Sequence, residues 1–507
     1  MEFNLAMLLT TKTHHQPNEP AIVHQGRIVS FRELNERANR WARAVTELGF
    51  GKRDRLGIMS RNCSEFVEAY FGLAKLGVVT VPINWRLSPS ELEQICTQSG
   101  LKGFIFGADF TENVEAMRSK IVLNQFVCIG SPSPGWATNA NFVANYPSDE
   151  TKLVGGGEDP AFIFYTSGTT GPPKGAVLTH HNCLWWFNQM SATLDFRSGD
   201  RVLMAIPLIH GFGSVWILNN VLRGCTSFLM SSFDPKTATE TTQERRISIL
   251  PAVPAMLQLI ARLPDFEKYM SSVRWIWTAG SQVPVSLIQT YAGHGFKMVI
   301  GYAGTDFGFL TALGTDKAVE KWDSEGLPFF GVDLRIVDEN GFDVKTGQLG
   351  EVIVRGPGVI SGYWENPEAT AEAIVNGWFH TGDLARFDED GYLYVVDRTK
   401  DTINSGAEKI YPIEIENVLL AHPKVADAAV IGQPHEIWGE TVTAVVQPKV
   451  GEKVTDIEIL NFCNGKLARF KSPKRIIFTE AALPRNASGK LLRRVIREQL
   501  NRPKSTL

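Results

Sequence analysis

Cysteine is scarce in this sequence and its spacing is irregular. Six cysteines are spread over 507 residues, with no CxxC pair and no cluster of cysteine with histidine. This spacing argues against a structural zinc site and against a disulfide scaffold. A reducing cytoplasm is the location that fits it most simply.

Long apolar runs and an excess of charge of one sign are missing as well. No uninterrupted apolar stretch reaches the length of a membrane span, and residues 1–15 lack a basic leader and a convincing cleavage site. The formal net charge of −3 gives no general attraction for nucleic acid or for an anionic membrane. Partners must therefore be argued from local sites.

The length and the pattern of the chain predict its fold class. A chain of 507 residues exceeds one typical domain, so we expect at least two. Ser30 to Glu33 read as a capping box before a helix, and apolar residues at Leu34, Ala38, Trp41, Val45 and Leu48 would form its buried face. Strands and helices alternate in this way along the chain, which predicts a layered α/β fold with a largely parallel sheet.

One loop has a composition suited to binding phosphate. The stretch 165–175, YTSGTTGPPKG, combines three glycines with hydroxyl residues and Lys174, and it follows an apolar run that predicts a buried strand. It is not a Walker A loop, because its lysine is followed by glycine rather than by serine or threonine. The alternative is a flexible Ser/Thr/Gly connector.

The longer string YTSGTTGPPKGAVLTH resembles the signature of the adenylate-forming superfamily, which includes acyl-CoA synthetases, aryl-CoA ligases, beetle luciferases and peptide-synthetase adenylation domains. The resemblance implies ATP, Mg²⁺ and coenzyme A. It also implies a large N-terminal domain, 1–399, of layered α/β subdomains with a β-barrel-like portion, and a small mobile α+β domain, 400–507. The implied contacts to ATP phosphates are Thr166, Ser167, Gly168, Thr169, Thr170, Gly171 and Lys174.

Three later strings in the first domain match the same family. In PLIHGFG, His210 would gate the acyl pocket, although a lone histidine beside an apolar run is more often structural. In WIWTAGSQVP, Gly280 and Ser281 would lie beside the adenine and acyl sites. In IGYAGTDF, Tyr302 would stack on adenine and Thr305 would face the phosphate. That string departs from the family at two positions: Ala303 replaces the commoner glycine, and Asp306 replaces the glutamate that holds magnesium.

The remaining matches surround the expected domain boundary. In WFHTGD, Asp383 would accept the ribose hydroxyls, unless it is merely an aspartate in a hairpin turn. By resemblance, Arg398 reaches the ribose or phosphate, Lys400 is the hinge, and Gly406 lets pantetheine pass beside the departure Ala407. PRNASGKLLR presents Lys490, the residue that would bridge the carboxylate and the α-phosphate, although a basic C-terminal patch is more often a solvated surface.

These matches imply an acyl-CoA synthetase that works through acyl-AMP. The pocket residues implied by position have no obvious cation, which favours a hydrophobic, compact or cyclic monocarboxylic acid: His210, Phe212, Trp216, Ala303 and Gly304. We expect Gly304 to open space there and Trp216 to close one end. Three alternatives stay open: a ligase that loads a separate carrier protein, a luciferase-like oxygenase, and a nucleotide-binding relative with weakened turnover. A homodimer also stays open.

Overall fold

The protein is described here by a computed structural model. It covers residues 2–118, 120–121, 123, 125–130, 137–138, 142–166, 173–281, 283–314, 317–398, 401–405, 408–436, 439–464, 466–485 and 491–501. Two compact units share these residues. The larger unit is formed by Met1–Trp322, Pro328–Asp333 and Arg355–Phe379, and the smaller unit by Asp323–Leu327, Leu334–Val354 and His380–Leu507. The predicted domain division at residue 400 stays a prediction.

Helices and strands alternate through most of the chain. The α-helices are Ala6–His15, Phe31–Glu47, Ser64–Leu76, Pro89–Ser99, Thr111–Arg118, His180–Thr193, Gly211–Arg223, Pro235–Glu244, Pro254–Ala261, Phe266–Tyr269, Val285–Gly293, Pro367–Ala373, Pro412–Leu420, Asp456–Cys463 and Arg493–Asn501. The strands are β1 (Pro20–His24), β2 (Arg27–Ser30), β3 (Arg55–Met59), β4 (Val79–Pro82), β5 (Gly103–Gly107), β6 (Gln125–Ile129), β7 (Ala137–Thr138), β8 (Pro160–Thr166), β9 (Lys174–Thr179), β10 (Arg201–Met204), β11 (Thr226–Leu229), β12 (Ile249–Ala252), β13 (Trp275–Ala279), β14 (Met298–Gly304), β15 (Gly308–Leu313), β16 (Leu327–Pro328), β17 (Asp333–Val337), β18 (Gly350–Arg355), β19 (Ile374–Val375), β20 (Trp378–Phe387), β21 (Leu393–Arg398), β22 (Ile403–Ser405), β23 (Glu408–Ile410), β24 (Val425–His435), β25 (Gly439–Pro448) and β26 (Arg475–Phe478).

Two mainly parallel sheets build the larger unit. One has the order β7-β6-β5-β3-β4-β8-β9 and is parallel except for the β8–β9 hairpin. In the other, the strands β15-β14-β13-β12-β10-β11-β1-β2 lie side by side, with antiparallel hairpins β1–β2 and β14–β15. The predicted layered α/β fold with a largely parallel sheet is confirmed.

The first predicted helix shows why these elements form where they do. It spans Phe31–Glu47, and the Ser30 hydroxyl caps it by accepting a hydrogen bond from the backbone N–H of Glu33. Leu34, Ala38 and Trp41 are fully buried along one face, as the spacing predicts. This face packs on the next helix at Gly72, where an added Cβ would lie 2.5 Å from the Cβ of Trp41. Each large apolar side chain buried in this way contributes about 2 kcal/mol.

The smaller unit contains two sheets. β18 and β21 both pair with β20, and β17 lies beside β18. The second sheet has the order β23-β22-β25-β24 with β26 parallel to β25, and it packs on the helices Pro412–Leu420 and Asp456–Cys463 through a core that includes Ile415, Leu419 and Ile459. No helix among the described residues is long and apolar enough to cross a membrane.

Candidate nucleotide and acyl site

The proposed phosphate loop connects two strands of a hairpin. β8 ends at Thr166 and β9 begins at Lys174, and these two residues are partners in the antiparallel register. The predicted buried strand before the loop is therefore confirmed. Ser167, Gly168, Thr169, Thr170 and Gly171 lie outside the described residues, as does the side chain of Thr166.

A chain of contacts in the larger unit joins the lysine of this hairpin to the proposed metal ligand. The Lys174 ammonium lies 5.2 Å from the ring centroid of Tyr363, and the Tyr363 hydroxyl lies close enough to the Asp306 carboxylate for that negative charge to add to the effect of burial in raising the pKa of Tyr363. Burial is the larger cause of this raised pKa, so the hydroxyl of Tyr363 stays protonated and is able to donate to the carboxylate. Lys174 also lies 3.6 Å from Glu372, an exposed partner. Lys174, Asp306 and Tyr363, which are far apart in the sequence, therefore lie near one another.

Backbone hydrogen bonds hold the segment that contains Tyr363 beside the phosphate hairpin. Tyr363 forms an isolated bridge with Ala176 of β9, and the backbone N–H of Trp364 donates to the carbonyl of Gly175 at 2.7 Å. The backbone N–H of Ile360 donates to the carbonyl of Asp306 at 3.0 Å. Residues 360–364 are therefore bound to β9 at one end and to the β14–β15 hairpin at the other.

The proposed adenine and acyl residues lie at the carboxyl ends of adjacent strands. β13 and β14 are parallel, with Ala279 opposite Gly301, so Gly280 and Ser281 leave one strand where Tyr302 and Ala303 end the next. In open α/β sheets, ligands bind at this edge. Gly280 has a φ of +93°, a conformation that glycine adopts without strain.

His210 stands at the start of the helix Gly211–Arg223, as the sequence predicts. This helix begins close to the β14–β15 hairpin, because a Cβ added to Gly211 would lie 3.6 Å from the Thr305 hydroxyl. Gly213 is required in the first turn, since a Cβ there would lie 2.2 Å from the carbonyl oxygen of Pro207. Both glycines let the helix start approach its neighbours closely.

The imidazole of His210 is neutral at physiological pH. Burial, with a smaller contribution from the positive charge of Arg86, lowers its pKa to about 4. Its Nε2 is buried and has no hydrogen-bond partner among the described residues. Such an atom would gain a hydrogen bond from a polar group brought by a ligand.

Aromatic rings surround Trp216, which lies on the helix that begins directly after His210. Trp216 is fully buried and packs against Phe212, Trp275 and Trp277, with ring centroids 6.0 to 6.4 Å apart. The expectation that Gly304 opens space needs correction. A Cβ on Gly304 would lie 2.4 Å from the ring of Phe307, so that ring already occupies the space beside the glycine.

In the smaller unit, Asp383 lies opposite Arg398. Asp383 is inside β20 and is the register partner of Arg398 in β21, so the backbone brings together the two residues proposed for the ribose. The alternative of an aspartate in a hairpin turn is wrong, because β20 runs on to Phe387. Asp383 is only 4% exposed, and its negative charge together with burial raises the pKa of Glu325 to about 7. The side chain of Arg398 is not among those described.

Other proposed residues fall outside the description. These are the hinge Lys400, the passage residues Gly406 and Ala407, and Lys490.

Sequence reasoning missed three residues that act on proposed site residues within their own units. Tyr363, Arg86 and Glu325 contact or influence Asp306, His210 and Asp383 respectively. Each is a single residue of a common type outside the recognised strings. Tyr363 follows Gly362 in a segment between two strands. This neighbouring glycine is a weak signal that the backbone of the segment is fixed.

The site fits a magnesium ion that arrives with a nucleotide. Among the described residues, no group of three histidine, cysteine, aspartate or glutamate side chains could form a metal cage. Magnesium is usually held by one or two carboxylates together with substrate phosphates. Asp306, whose charge acts on Tyr363 beside the phosphate hairpin, is a donor of that kind.

Known proteins resemble this chain over nearly its whole length. Residues 9–364 match the AMP-binding enzyme family and residues 414–490 match the AMP-binding enzyme C-terminal domain. The long-chain-fatty-acid–CoA ligase FadD13 of Mycobacterium tuberculosis is 37% identical, with 98% of each chain covered. The feruloyl-CoA synthase of an Amycolatopsis species is 36% identical, with 95% of this chain and 96% of the relative covered. The structure of ATP-bound MatB from Rhodopseudomonas palustris superposes with a TM-score of 0.92 at 28% identity and covers 99% of each chain.

Proposed function

The chain belongs to the AMP-binding enzyme family, and on this premise we propose that it is an AMP-forming acyl-CoA synthetase. It would use ATP, Mg²⁺ and coenzyme A to convert a carboxylic acid to its thioester. The observation that carries the proposal is the contact of Tyr363 with both Lys174 and Asp306, which gathers a cation and a carboxylate beside the phosphate hairpin.

In the first half-reaction, a carboxylate oxygen attacks the α-phosphorus of ATP and the bond from that phosphorus to the pyrophosphate oxygen breaks. Two anions must approach, so the site needs cations and oriented donors where charge develops. Lys174 and the hydroxyls of residues 166–170 would hold the departing phosphates, and Thr305 would face the α-phosphate. Mg²⁺ bound at Asp306 would neutralise phosphate charge. Lys490 would contact the carboxylate and the α-phosphate oxygens.

In the second half-reaction, the sulfur of coenzyme A attacks the acyl carbon and the bond to AMP breaks. The thiol proton leaves to solvent, and AMP departs as the leaving group. The thiol can reach the acyl carbon only after Lys490 withdraws, which suits a lysine on a separate mobile domain. We therefore propose 1–399 and 400–507 as the two domains and Lys400 as the hinge. Gly406 would then line the pantetheine passage.

Asp383 and Arg398 would hold the ribose. A carboxylate offers paired acceptors to two neighbouring hydroxyls, and the register pairing of the two residues supports a joint role. Tyr302 would stack on adenine, with Gly280 and Ser281 beside it at the adjacent strand end.

The acid is proposed to be a hydrophobic monocarboxylic acid. The aromatic rings of Phe212 and Trp216 and the neutral imidazole of His210 favour an apolar acid, and Arg86 is a described cation whose charge reaches His210. The two relatives named above act on a long-chain fatty acid and on ferulate, so both chemical classes belong in the test. A cytoplasmic location is part of the proposal, supported by six cysteines that are all buried and unpaired. Light scattering will decide between a monomer and a homodimer.

The test is ATP–pyrophosphate exchange with dodecanoate, ferulate, indoleacetate and 2-succinylbenzoate, followed by thioester assays with coenzyme A and with a phosphopantetheinyl carrier protein. We expect exchange with at least one of the first three acids and thioester with free coenzyme A. Thioester with the carrier alone would favour the carrier-loading ligase. Light emission or oxygen uptake would favour the oxygenase. Tight ATP binding without any exchange would favour the protein with weakened turnover.

A further inference from the structure

The last described helix begins in a cluster of buried charges that the proposed chemistry does not use. Arg493 donates to Glu416 through Nη2 at 2.6 Å and through Nε at 3.2 Å, and its Nη1 lies 3.4 Å from the Asp401 carboxylate. The side chains of Arg493 and Asp401 are 10% exposed, and that of Glu416 is 8% exposed. All three residues belong to the smaller unit.

The two carboxylates come from separate parts of this unit. Glu416 lies on the helix Pro412–Leu420 and also accepts from the backbone N–H of Val430 in β24, at 2.8 Å. Asp401 directly follows the proposed hinge residue in the sequence, and its second oxygen lies 3.5 Å from Arg497. A single guanidinium therefore connects the last helix, an internal helix with its sheet, and the start of the segment after residue 400.

In the sequence, Arg493 closely follows the five residues 486–490, which lie outside the described residues. Arg485 and Leu491 form an antiparallel bridge, and the backbone N–H of Leu492 donates to the carbonyl of Pro484 at 2.9 Å. On the preceding side, Arg485 donates to both oxygens of Asp427 at 2.8 and 2.9 Å. The described residues before and after 486–490 are thus paired through their backbones, and each side has an arginine that bonds to carboxylates.

Stability alone is a weak reason for burying such a cluster. Desolvation of the charges opposes their attraction, and apolar residues of similar volume often stabilise as well or better. The planar guanidinium group of an arginine can bond two carboxylates at once. It then fixes the orientation of one carboxylate relative to the other. The cluster is therefore better suited to fixing the elements that it joins relative to one another than to raising the free energy of unfolding.

We propose that Arg493 is a positioning residue for the adenylation half-reaction. It holds the described residues on either side of 486–490, up to Arg485 and from Leu491 onward, in a fixed orientation to Glu416 and Asp401. This inference rests on the proposed roles of Lys490 and Lys400. When the small domain turns, the lysine and the residues after the hinge then move as one body. Arg493 itself touches no substrate.

The experiment compares variants of the full chain in the two half-reactions. Arg493→Gln removes the cation, Arg493→Lys keeps a charge without the fork, and Arg494→Gln is the matched control, since Arg494 is exposed and pairs with Glu498 on the same helix. The first rate is acyl-AMP formation from MgATP and dodecanoate, or ferulate if the wild-type protein prefers it. The second is the conversion of the synthetic acyl-AMP by coenzyme A.

We expect Arg493→Gln to lower the first rate on the order of 10²-fold, as the loss of an oriented oxyanion donor does. The second rate should stay within about threefold of wild type, Arg493→Lys should be intermediate, and Arg494→Gln should match wild type. Equal loss in both half-reactions, or no loss in the first, would overturn the inference. Thermal melting is recorded for each variant.

A second variant covers the case in which Arg493→Gln folds poorly. Arg493→Met combined with Glu416→Gln removes the two buried charges together and should show the same selective loss. Lys490→Ala is measured alongside. If it keeps the first rate, the proposed role of Lys490 fails. If it loses that rate while the Arg493 variants keep it, only the inference about Arg493 fails.

Discussion

Asp306 occupies the position where the family resemblance leads us to expect glutamate, and its shorter side chain needs an exact orientation to reach a phosphate-bound cation. The protonated hydroxyl of Tyr363 lies near this carboxylate and would supply such an orientation by donating to it. The same ring lies near the ammonium of Lys174. One tyrosine therefore links the two charged groups that the phosphates would meet.

Replacing Tyr363 separates these two contacts. Tyr363→Phe removes the hydroxyl from Asp306 but keeps the ring beside Lys174, whereas Tyr363→Leu removes both. A hydrogen bond to a charged group contributes about 1.5–3 kcal/mol, so we expect the KM for MgATP to rise about tenfold or more in the phenylalanine variant. The KM for MgATP should rise further in the leucine variant. Pyrophosphate exchange with varied MgATP is the measurement, and the KM for the acid is the internal control. Wild-type behaviour of both variants would refute the linking role.

Residues of the site differ in how far sequence could predict them. Lys174 and Asp306 stand in strings of glycine, proline and hydroxyl residues that are recognisable because several neighbours are constrained together. Tyr363 and Arg86 reach the site only through tertiary contacts, and a single tyrosine or arginine has no local pattern. The space beside Gly304 was misjudged for the same reason, since Phe307 fills it through the bend of the β14–β15 hairpin.

At the scale of elements, strand ends determine where the chemistry can occur. The carboxyl end of β13, the end of β14 and the β8–β9 hairpin each carry a proposed ligand contact. These elements were predictable because apolar runs and caps are local signals, and the helix after Ser30 begins as its cap predicts. The order of strands within each sheet was not predictable, because it depends on pairing between distant segments.

One helix start also makes the stability of the protein depend on pH. His180 begins the helix His180–Thr193, and its Nδ1 accepts a hydrogen bond from the backbone N–H of Leu5 at 3.1 Å. Burial lowers the pKa of His180 from 6.5 to about 4. Between those values the unfolded chain binds a proton that the folded chain does not. The contribution of His180 to the free energy of unfolding therefore falls as pH decreases from 6.5 to 4.

His180→Asn keeps an acceptor near the Nδ1 position and removes the titration. His210 and Glu325 also titrate in this window, with opposite effects on stability, so the difference between the two proteins is the informative quantity. Per pH unit, the wild-type protein should lose on the order of 1 kcal/mol more than the variant, even if the variant's overall stability is lower. Urea unfolding at several pH values between 4 and 7 measures the slope. His14→Asn, at an exposed position, should keep the wild-type slope. An unchanged slope in His180→Asn would show that another group controls it.

For the whole molecule, the central claim is that two chemical steps share one site and are separated by a domain movement. The resemblance supplied this claim, because the recognised strings follow one another in the family's order along the chain. How the two proposed domains move relative to each other depends on contacts between residues that are far apart in the sequence. Composition and periodicity therefore cannot predict that movement. The claim must therefore be tested by chemistry that treats the two steps separately.

Lys490→Ala, assayed in each half-reaction, is the most direct measurement. We expect acyl-AMP formation from acid and MgATP to fall on the order of 10²-fold or more, because a cation at the developing charge is lost. Conversion of preformed acyl-AMP and coenzyme A to thioester should continue at close to the wild-type rate. Equal loss of both rates, or an unimpaired first rate, would contradict the account.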